Sequence, residues 1–283
     1  MEIRISDDFD LKKIVDSGQC FRPREISAGI FRFIVGENIL HISKRDENLF
    51  DVDCDAETWK NFWENYFDLG TNYAGIRRDI ENFASGKPYE KILRDATEFG
   101  KGIRILRQDP FEILISFIIS QRKTIPAIRS SVEKICERFG QLITFERVGH
   151  PPEEIYLFPR VEDIADATLE DLTGLGLSYR KPYIQEAVEK VSSGAIDFAE
   201  LGTFSDKDMT EELKIINGVG DKIANCVALF AYHRVDRVPI DIWIRRAIEE
   251  DFGGENIFAQ FGKNAGILQQ YIFYRKRTKK RKA

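Results

Sequence analysis

Two amphipathic segments meet at Asn217-Gly218-Val219-Gly220, inside the stretch "LKIINGVGDKIANCVALFAY" that runs from 213 to 232. Glycines at both ends of so tight a turn allow positive φ, and they leave backbone N–H groups uncovered at the start of the second helix. Such a helix start binds a phosphate without needing a basic side chain. The same pattern is also compatible with an ordinary connection between helices.

Lys222 stands in the first turn of that second helix, ahead of Ile223, Ala224, Cys226, Val227, Ala228 and Leu229. Cys226 follows at i+4 and so shares its face. Desolvation and the positive end of the helix dipole both disfavour the ammonium form there, which favours a nucleophilic amine. The plainer alternative is that Lys222 snorkels to solvent or touches a phosphate. Downstream, "RVPIDIWIRRAIEEDF" sets Asp241 directly before the helical pattern of Ile242, Ile244, Ala247 and Ile248, the place of an N-cap. Its apolar approach, Pro239-Ile240, suits a buried strand end from which a carboxylate can face the lysine. An amine paired with a carboxylate is what attack at a sugar C1′ needs: a nucleophile, and a negative group for a cationic transition state.

Charge is divided along the chain. Seven of the last nine residues are basic and none is acidic, so a net charge of −5 leaves −12 on the preceding 274. Within that acidic remainder, 101–140 is locally basic, with Arg104, Arg107, Arg122 and Lys123 among its cations, whereas 153–171 is acidic. One face is thereby suited to a phosphate backbone while another repels it. The cysteines at 20, 54, 136 and 226 form no short metal-ligand spacing, so a zinc finger is not expected, and Cys54 and Cys136 read as buried filler. With no basic-then-apolar leader and no long apolar run, the expected place is the cytoplasm, at the nucleoid if the source is bacterial.

Up to about Asp109 the signals are mixed. "IFRFIV" and "ILHI" alternate around Gly36, Glu37 and Asn38 as a hairpin, and the aromatics of "ETWKNFWENYF" recur at helical spacing. Beyond it, "DPFEILISFIIS", "TIPAIRSSVEKICERFG" and "RKPYIQEAVEKVSSG" are helices with Pro and Gly punctuation. The expected class is α+β, mostly α: an N-terminal α+β domain with antiparallel strands over 1–103, a helical helix-hairpin-helix domain over 104–274, and a basic tail over 275–283.

Six segments, "SGQCFR" (17–22), "IRILRQDPFEILISFIIS" (103–120), "GLGLSYR" (174–180), "INGVGDKIANC" (216–226), "VPIDIW" (238–243) and "AGILQQYIF" (265–273), together resemble the 8-oxoguanine DNA glycosylases of the eukaryotic type and their bacterial relatives, within the helix-hairpin-helix superfamily. The resemblance implies a bifunctional glycosylase and abasic-site lyase. Lys222 takes the position of the attacking lysine that remains as a Schiff base, and Asp241 that of its partner aspartate. It implies a flipped base held between Cys226 and Phe273, with Gln269 on its Watson–Crick edge, and Gly18 offering a carbonyl to the N7–H that 8-oxoguanine has and guanine lacks. A lone pair facing that carbonyl costs about 1–3 kcal/mol, or roughly 5- to 150-fold, so one contact does not carry all the selectivity. Tyr179 matches the aromatic wedge, and Gly218, Val219, Gly220, Arg180, Gln121, Arg122 and Lys123 are the expected DNA contacts. The partner implied is double-stranded DNA carrying an oxidised purine, met by a monomer that needs neither a cofactor nor a metal nor a membrane.

The chain departs from the family pattern where an Asn-rich run and an arginine are usual: here stand Gln121-Arg122-Lys123-Thr124, with Ala127 after Pro126. Weak selectivity for the base opposite the lesion is expected. Trp243 occupies a place where a histidine is common. Two alternatives stay open: a glycosylase for another damaged purine, and a non-catalytic helix-hairpin-helix protein in which Lys222 touches a phosphate.

Overall fold

A computed structural model describes residues 1–147 and 149–282. About half of the chain is helical, behind an antiparallel sheet of five strands in the order β1-β5-β4-β3-β2: β1 (Glu2–Arg4), β2 (Arg24–Ser27), β3 (Ile30–Val35), β4 (Asn38–Asp46) and β5 (Leu49–Val52). The chain forms two compact units that interleave in sequence. One comprises Met1–Cys20, Lys44–Arg107 and the chain from Ala228 onward; the other comprises Phe21–Ser43 and Gln108–Val227.

In the second unit the β3–β4 hairpin turns on two residues, Gly36 at φ +55° and Glu37; Asn38, expected in the turn, already pairs with Val35. The strands do not alternate between core and solvent as their sequence suggests: the four central residues of β3, Phe31–Ile34, are buried in succession. The reason is a second antiparallel pair in the stretch read as wholly helical, β6 (Leu142–Phe145) with β7 (Glu153–Tyr156). Ile155 and Leu157 pack on Ile34 and Ile39, and Glu153 accepts from the buried Arg32 and lies 3.2 Å from His41. A charged strand position thus buries itself by finding a partner.

The helices of that unit follow their signals. Asp109 caps Pro110–Ile119 by accepting from the Glu112 N–H at 2.8 Å, and Ile125–Phe139 stops at Gly140. Burial pushes the Cys136 thiol up to about 12, as suits filler, whereas Cys54 in the first unit is only half-buried, because it lies in the exposed turn after β5.

In the first unit, Arg104 is not a phosphate-facing cation but a buried hub. Its guanidinium donates to the carbonyls of Phe67 (3.0 Å), Asp8 (2.8 Å), Asp68 (2.6 Å) and Thr71 (2.7 Å), and stacks 4.2 Å from the Tyr73 ring centre. Arg107 pairs with Asp68 at 3.0 Å. The basic character of 101–140 is partly consumed inside the protein. The end of the chain behaves likewise, since the basic residues from 275 continue the helix Ala265–Lys282. Lys276 pairs with Asp251 (2.7 Å) and Glu250 (2.9 Å), Lys279 pairs with Asp95 (2.6 Å), and Arg275 donates to Asp95. Among the described residues no helix is long and apolar enough to cross a membrane.

Candidate active site

The sequence-predicted residues fall into two groups, one in each unit. In the second unit the hairpin joins Asp206–Leu213 to Asp221–Phe230. Gly218 takes φ +86°, and a Cβ there would stand 2.5 Å from the Tyr183 ring, so the turn needs glycine twice over. Gly220 differs from expectation: its φ is not positive and a Cβ would meet open space. Its carbonyl accepts from Ile223 and Ala224, opening the helix. Val219 is buried, so its part in the turn is an anchor in the core, with its N–H on the Ile216 carbonyl at 3.0 Å. Lys214 ties the two helices together, 3.0 Å from Glu211 and 3.1 Å from Asp221.

Lys222 is half-buried in the first turn. Its Nζ donates to Ser120 Oγ at 3.2 Å and lies 4.7 Å from the centre of the Phe117 ring. Both contacts suit a nitrogen rich in N–H bonds, one as acceptor and one as an electron-rich face. Cys226, one turn on, is buried, and no disulfide engages it.

Three loops are tied together through Gln121, the residue after Ser120. Gln121 donates to the Gly218 carbonyl at 3.3 Å, and Arg180 donates to the carbonyls of Gln121 and, at 3.2 Å, Leu177. Arg180, expected as a DNA contact, is buried: its guanidinium is held by backbone carbonyls and supports the exposed Tyr179 ring from 4.3 Å. Lys123 also turns inward, to Gly176 O at 2.7 Å and Ser131 Oγ at 2.5 Å; burial and then the charges of Arg180 and Lys134 lower its pKa below the ordinary lysine value. Arg122, at φ +51°, and Tyr179 are the members of this group that remain exposed.

In the first unit, Asp241 is the N-cap of Ile242–Asp251, its Oδ1 accepting from Trp243 N (3.0 Å) and Ile244 N (2.9 Å). The approach to Asp241 is tied to the helix Ala265–Lys282 by a bond from Gly266 N to Val235 O at 2.8 Å, where a Cβ on Gly266 would collide with the Arg237 carbonyl. That helix carries Gln269 and Phe273 one turn apart. Gln269 is buried with an Oε1 that meets no partner among the described residues, and Phe273 is half-buried with the Arg277 guanidinium 5.5 Å from its centre.

Gly18, at φ +84°, follows the helix Leu11–Asp16 and is held against the same helix. Gln270 donates to the Ser17 carbonyl at 2.8 Å, and Arg277 donates to the Asp16 carbonyl. Gln19, fully buried, bonds Ser17 Oγ (2.9 Å), Arg104 O (2.8 Å) and Leu106 N (2.8 Å). The structure thus brings Gly18, Gln269, Phe273 and the approach to Asp241 together in one unit, and Lys222, Cys226, Gln121, the hairpin, Arg180 and Tyr179 together in the other. Sequence reasoning did not find Ser120, Gln19, Gln270 and Arg277. Each lay inside or beside a quoted segment, but nothing in its spacing marks a buried polar partner.

Among the described residues no three His, Cys, Asp or Glu side chains stand together as a metal ion would require. The buried orphan acceptor of Gln269 instead suits a polar organic ligand with a donor.

Comparison with known proteins agrees along the whole chain. Residues 2–114 match the family described as 8-oxoguanine DNA glycosylase, N-terminal domain, and residues 115–259 the HhH-GPD superfamily base excision DNA repair proteins. A Methanothermobacter thermautotrophicus protein named "Probable N-glycosylase/DNA lyase" is 28% identical over 303 residues, which covers 94% of this chain and 93% of that one. An N-glycosylase/DNA lyase of Saccharomyces cerevisiae is 36% identical over 167 residues, covering 54% and 42%. The solved structure of Clostridium acetobutylicum 8-oxoguanine glycosylase/lyase, bound to double-stranded DNA with cytosine opposite 8-oxoguanine, superposes with a TM-score of 0.86 at 31% identity, covering 99% of this chain and 98% of that one.

Proposed function

The chain belongs to the 8-oxoguanine DNA glycosylases of the HhH-GPD superfamily, and from that membership we propose that it excises 8-oxoguanine from double-stranded DNA and then cuts the abasic strand as a lyase. The observation that carries the reading is Lys222: an amine in the first turn of the hairpin's second helix, half-buried against Ser120 and Phe117 instead of extended into solvent. An amine held in place in this way is positioned for attack, whereas a phosphate contact would be better served by an extended side chain.

In this reading the Gly218–Gly220 turn receives the DNA backbone through N–H groups, Arg122 adds a charge, and Tyr179 wedges at the lesion. Cys226 and Phe273 are the stacking groups for the base, Gln269, with its unpartnered Oε1, is the group for the Watson–Crick edge, and the Gly18 carbonyl is the acceptor for N7–H. The Lys222 amine attacks C1′ while the Asp241 carboxylate stabilises the positive charge that develops on the sugar. Arg180 and Lys123 position the loops and do not touch the ligand. The enzyme works as a monomer.

Borohydride reduction on a duplex carrying a single 8-oxoguanine tests this. A covalent protein–DNA band that is lost in Lys222→Gln is the expected result. Release of the base with no band in either protein means water attack assisted by Asp241. Neither release nor band, with binding retained, means a different lesion or a binding protein only.

A further inference from the structure

We propose that Ser120 is a positioning residue for the Lys222 amine, holding Nζ by a hydroxyl that accepts from it and cannot compete for its lone pair; this rests on the reading of Lys222 as nucleophile. Ser120 is the C-cap of Pro110–Ile119, anchored by its own N–H on Ser116 O at 3.0 Å. Its Oγ donates to the Phe117 carbonyl at 2.7 Å. A hydroxyl has one proton, so toward Lys222, at 3.2 Å, Ser120 is an acceptor only.

The direction of that bond decides its use. A hydroxyl that donated to the amine would occupy the electron pair needed for attack. One that accepts ties down an N–H and leaves the pair of the neutral amine pointing elsewhere. Phe117, with its ring centre 4.7 Å from Nζ, adds a surface that can neither give nor take a proton. The loop bearing Ser120 is itself fixed to the hairpin bearing Lys222, through Gln121 Nε2 on Gly218 O at 3.3 Å and Arg180 on Gln121 O. A long flexible side chain is thereby held in one place by a short rigid one.

In the step served, the Nζ–C1′ bond forms as the bond from C1′ to the base breaks. The electron pair leaves on the base, which ends protonated by the proton that Nζ loses. The nitrogen pair then forms C=N as the C1′–O4′ bond opens, and O4′ takes up a proton from water. Ser120 moves no proton in either part; it sets where Nζ stands.

The test uses the full chain on a duplex with a preformed aldehydic abasic site, where the same Nζ adds to the C1′ carbonyl and water leaves as C=N forms, and the imine is trapped with borohydride under single-turnover conditions at varied protein concentration. Ser120→Ala is expected to lower the maximal trapping rate about tenfold while the half-saturating concentration stays within about twofold. Ser120→Thr, which keeps the acceptor, stays within about threefold of the wild type. Equal slowing of both variants, a change confined to half-saturation, an unchanged rate in Ser120→Ala, or a loss that merely follows a lowered unfolding midpoint each overturns the proposal. Lys222→Gln run in parallel separates the two readings. If it is inert while Ser120→Ala is unimpaired, the role of Ser120 alone is wrong. If it traps like the wild type, another amine is the nucleophile, and both fall.

Discussion

Gln270 donates its side-chain amide to the Ser17 carbonyl at 2.8 Å, across 253 residues of sequence. Together with the bond from Arg277 to the Asp16 carbonyl, it holds the turn that presents Gly18 against the helix that presents Gln269 and so sets the separation of two groups assigned to the base.

Replacing it shows how much depends on that separation. Gln270→Ala leaves a buried carbonyl unpaired and is expected to cost about 1–3 kcal/mol in denaturant unfolding. It should also narrow the ratio of single-turnover rates on 8-oxoguanine and guanine, since a mobile Gly18 carbonyl discriminates less. A stability loss with an unchanged ratio sinks the second part.

The two glycines of the hairpin are expected to separate stability from binding. Gly218→Ala meets both a positive φ and the Tyr183 ring, and should lower stability by about 1–3 kcal/mol. Gly220→Ala has room and ordinary backbone, so its stability should change by less than about 0.5 kcal/mol. If the helix start holds a phosphate, that added methyl nevertheless weakens DNA affinity, as fluorescence anisotropy would show.

Glu112 gives the fold a pH dependence. Burial pushes its carboxyl up to about 7; Arg22 opposes the shift, and Asp109 and Glu133 add to it. An acid with a raised folded pKa holds a proton that the unfolded chain has released, so stability falls as pH rises from the ordinary glutamate range through about 7. Glu112→Gln should remove about 1–2 kcal/mol of the wild-type loss between pH 5 and pH 8, a figure reduced for partial exposure. Thermal melts at the two pH values measure it.

The basic end of the chain is expected to serve the fold more than the DNA. Lys276→Gln breaks the pair with Asp251 and should destabilise by about 1–3 kcal/mol. It should change the slope of log affinity against log salt by much less than the roughly one unit that a lost phosphate contact removes. A full unit would make Lys276 a DNA contact instead.

Selectivity for the opposite base is expected to be weak. Arg180 and Lys123 are spent on backbone carbonyls and Ala127 offers no donor, which leaves Arg122 with few companions for reading an orphan base. Single-turnover rates opposite C, A, G and T should lie within about tenfold, since one good bidentate base contact alone is worth about 1–3 kcal/mol. A hundredfold preference for cytosine contradicts this.

What the sequence by itself determined is local. Asp109 before a proline, Asp241 before a helical pattern, glycine at 218 and the i, i+4 spacings of Lys222 with Cys226 and Gln269 with Phe273 are set by neighbours within a turn or two, where backbone sterics and side-chain reach decide. The tertiary structure alone decided which charges face outward and which polar groups find each other. Arg104, Lys123 and Arg180 read as candidate cations for a phosphate, yet backbone carbonyls brought close by folding hold Arg104 and Arg180 inside and engage the half-buried Lys123. Likewise β6 and β7 lie in a stretch with helical neighbours and became strands against β3 and β4, whose outer face needed cover. The partners of Lys222 at Ser120 and of Ser17 at Gln270 are 102 and 253 residues away. A hydrogen bond needs two groups about 3 Å apart, and no sequence period encodes that distance between residues so remote.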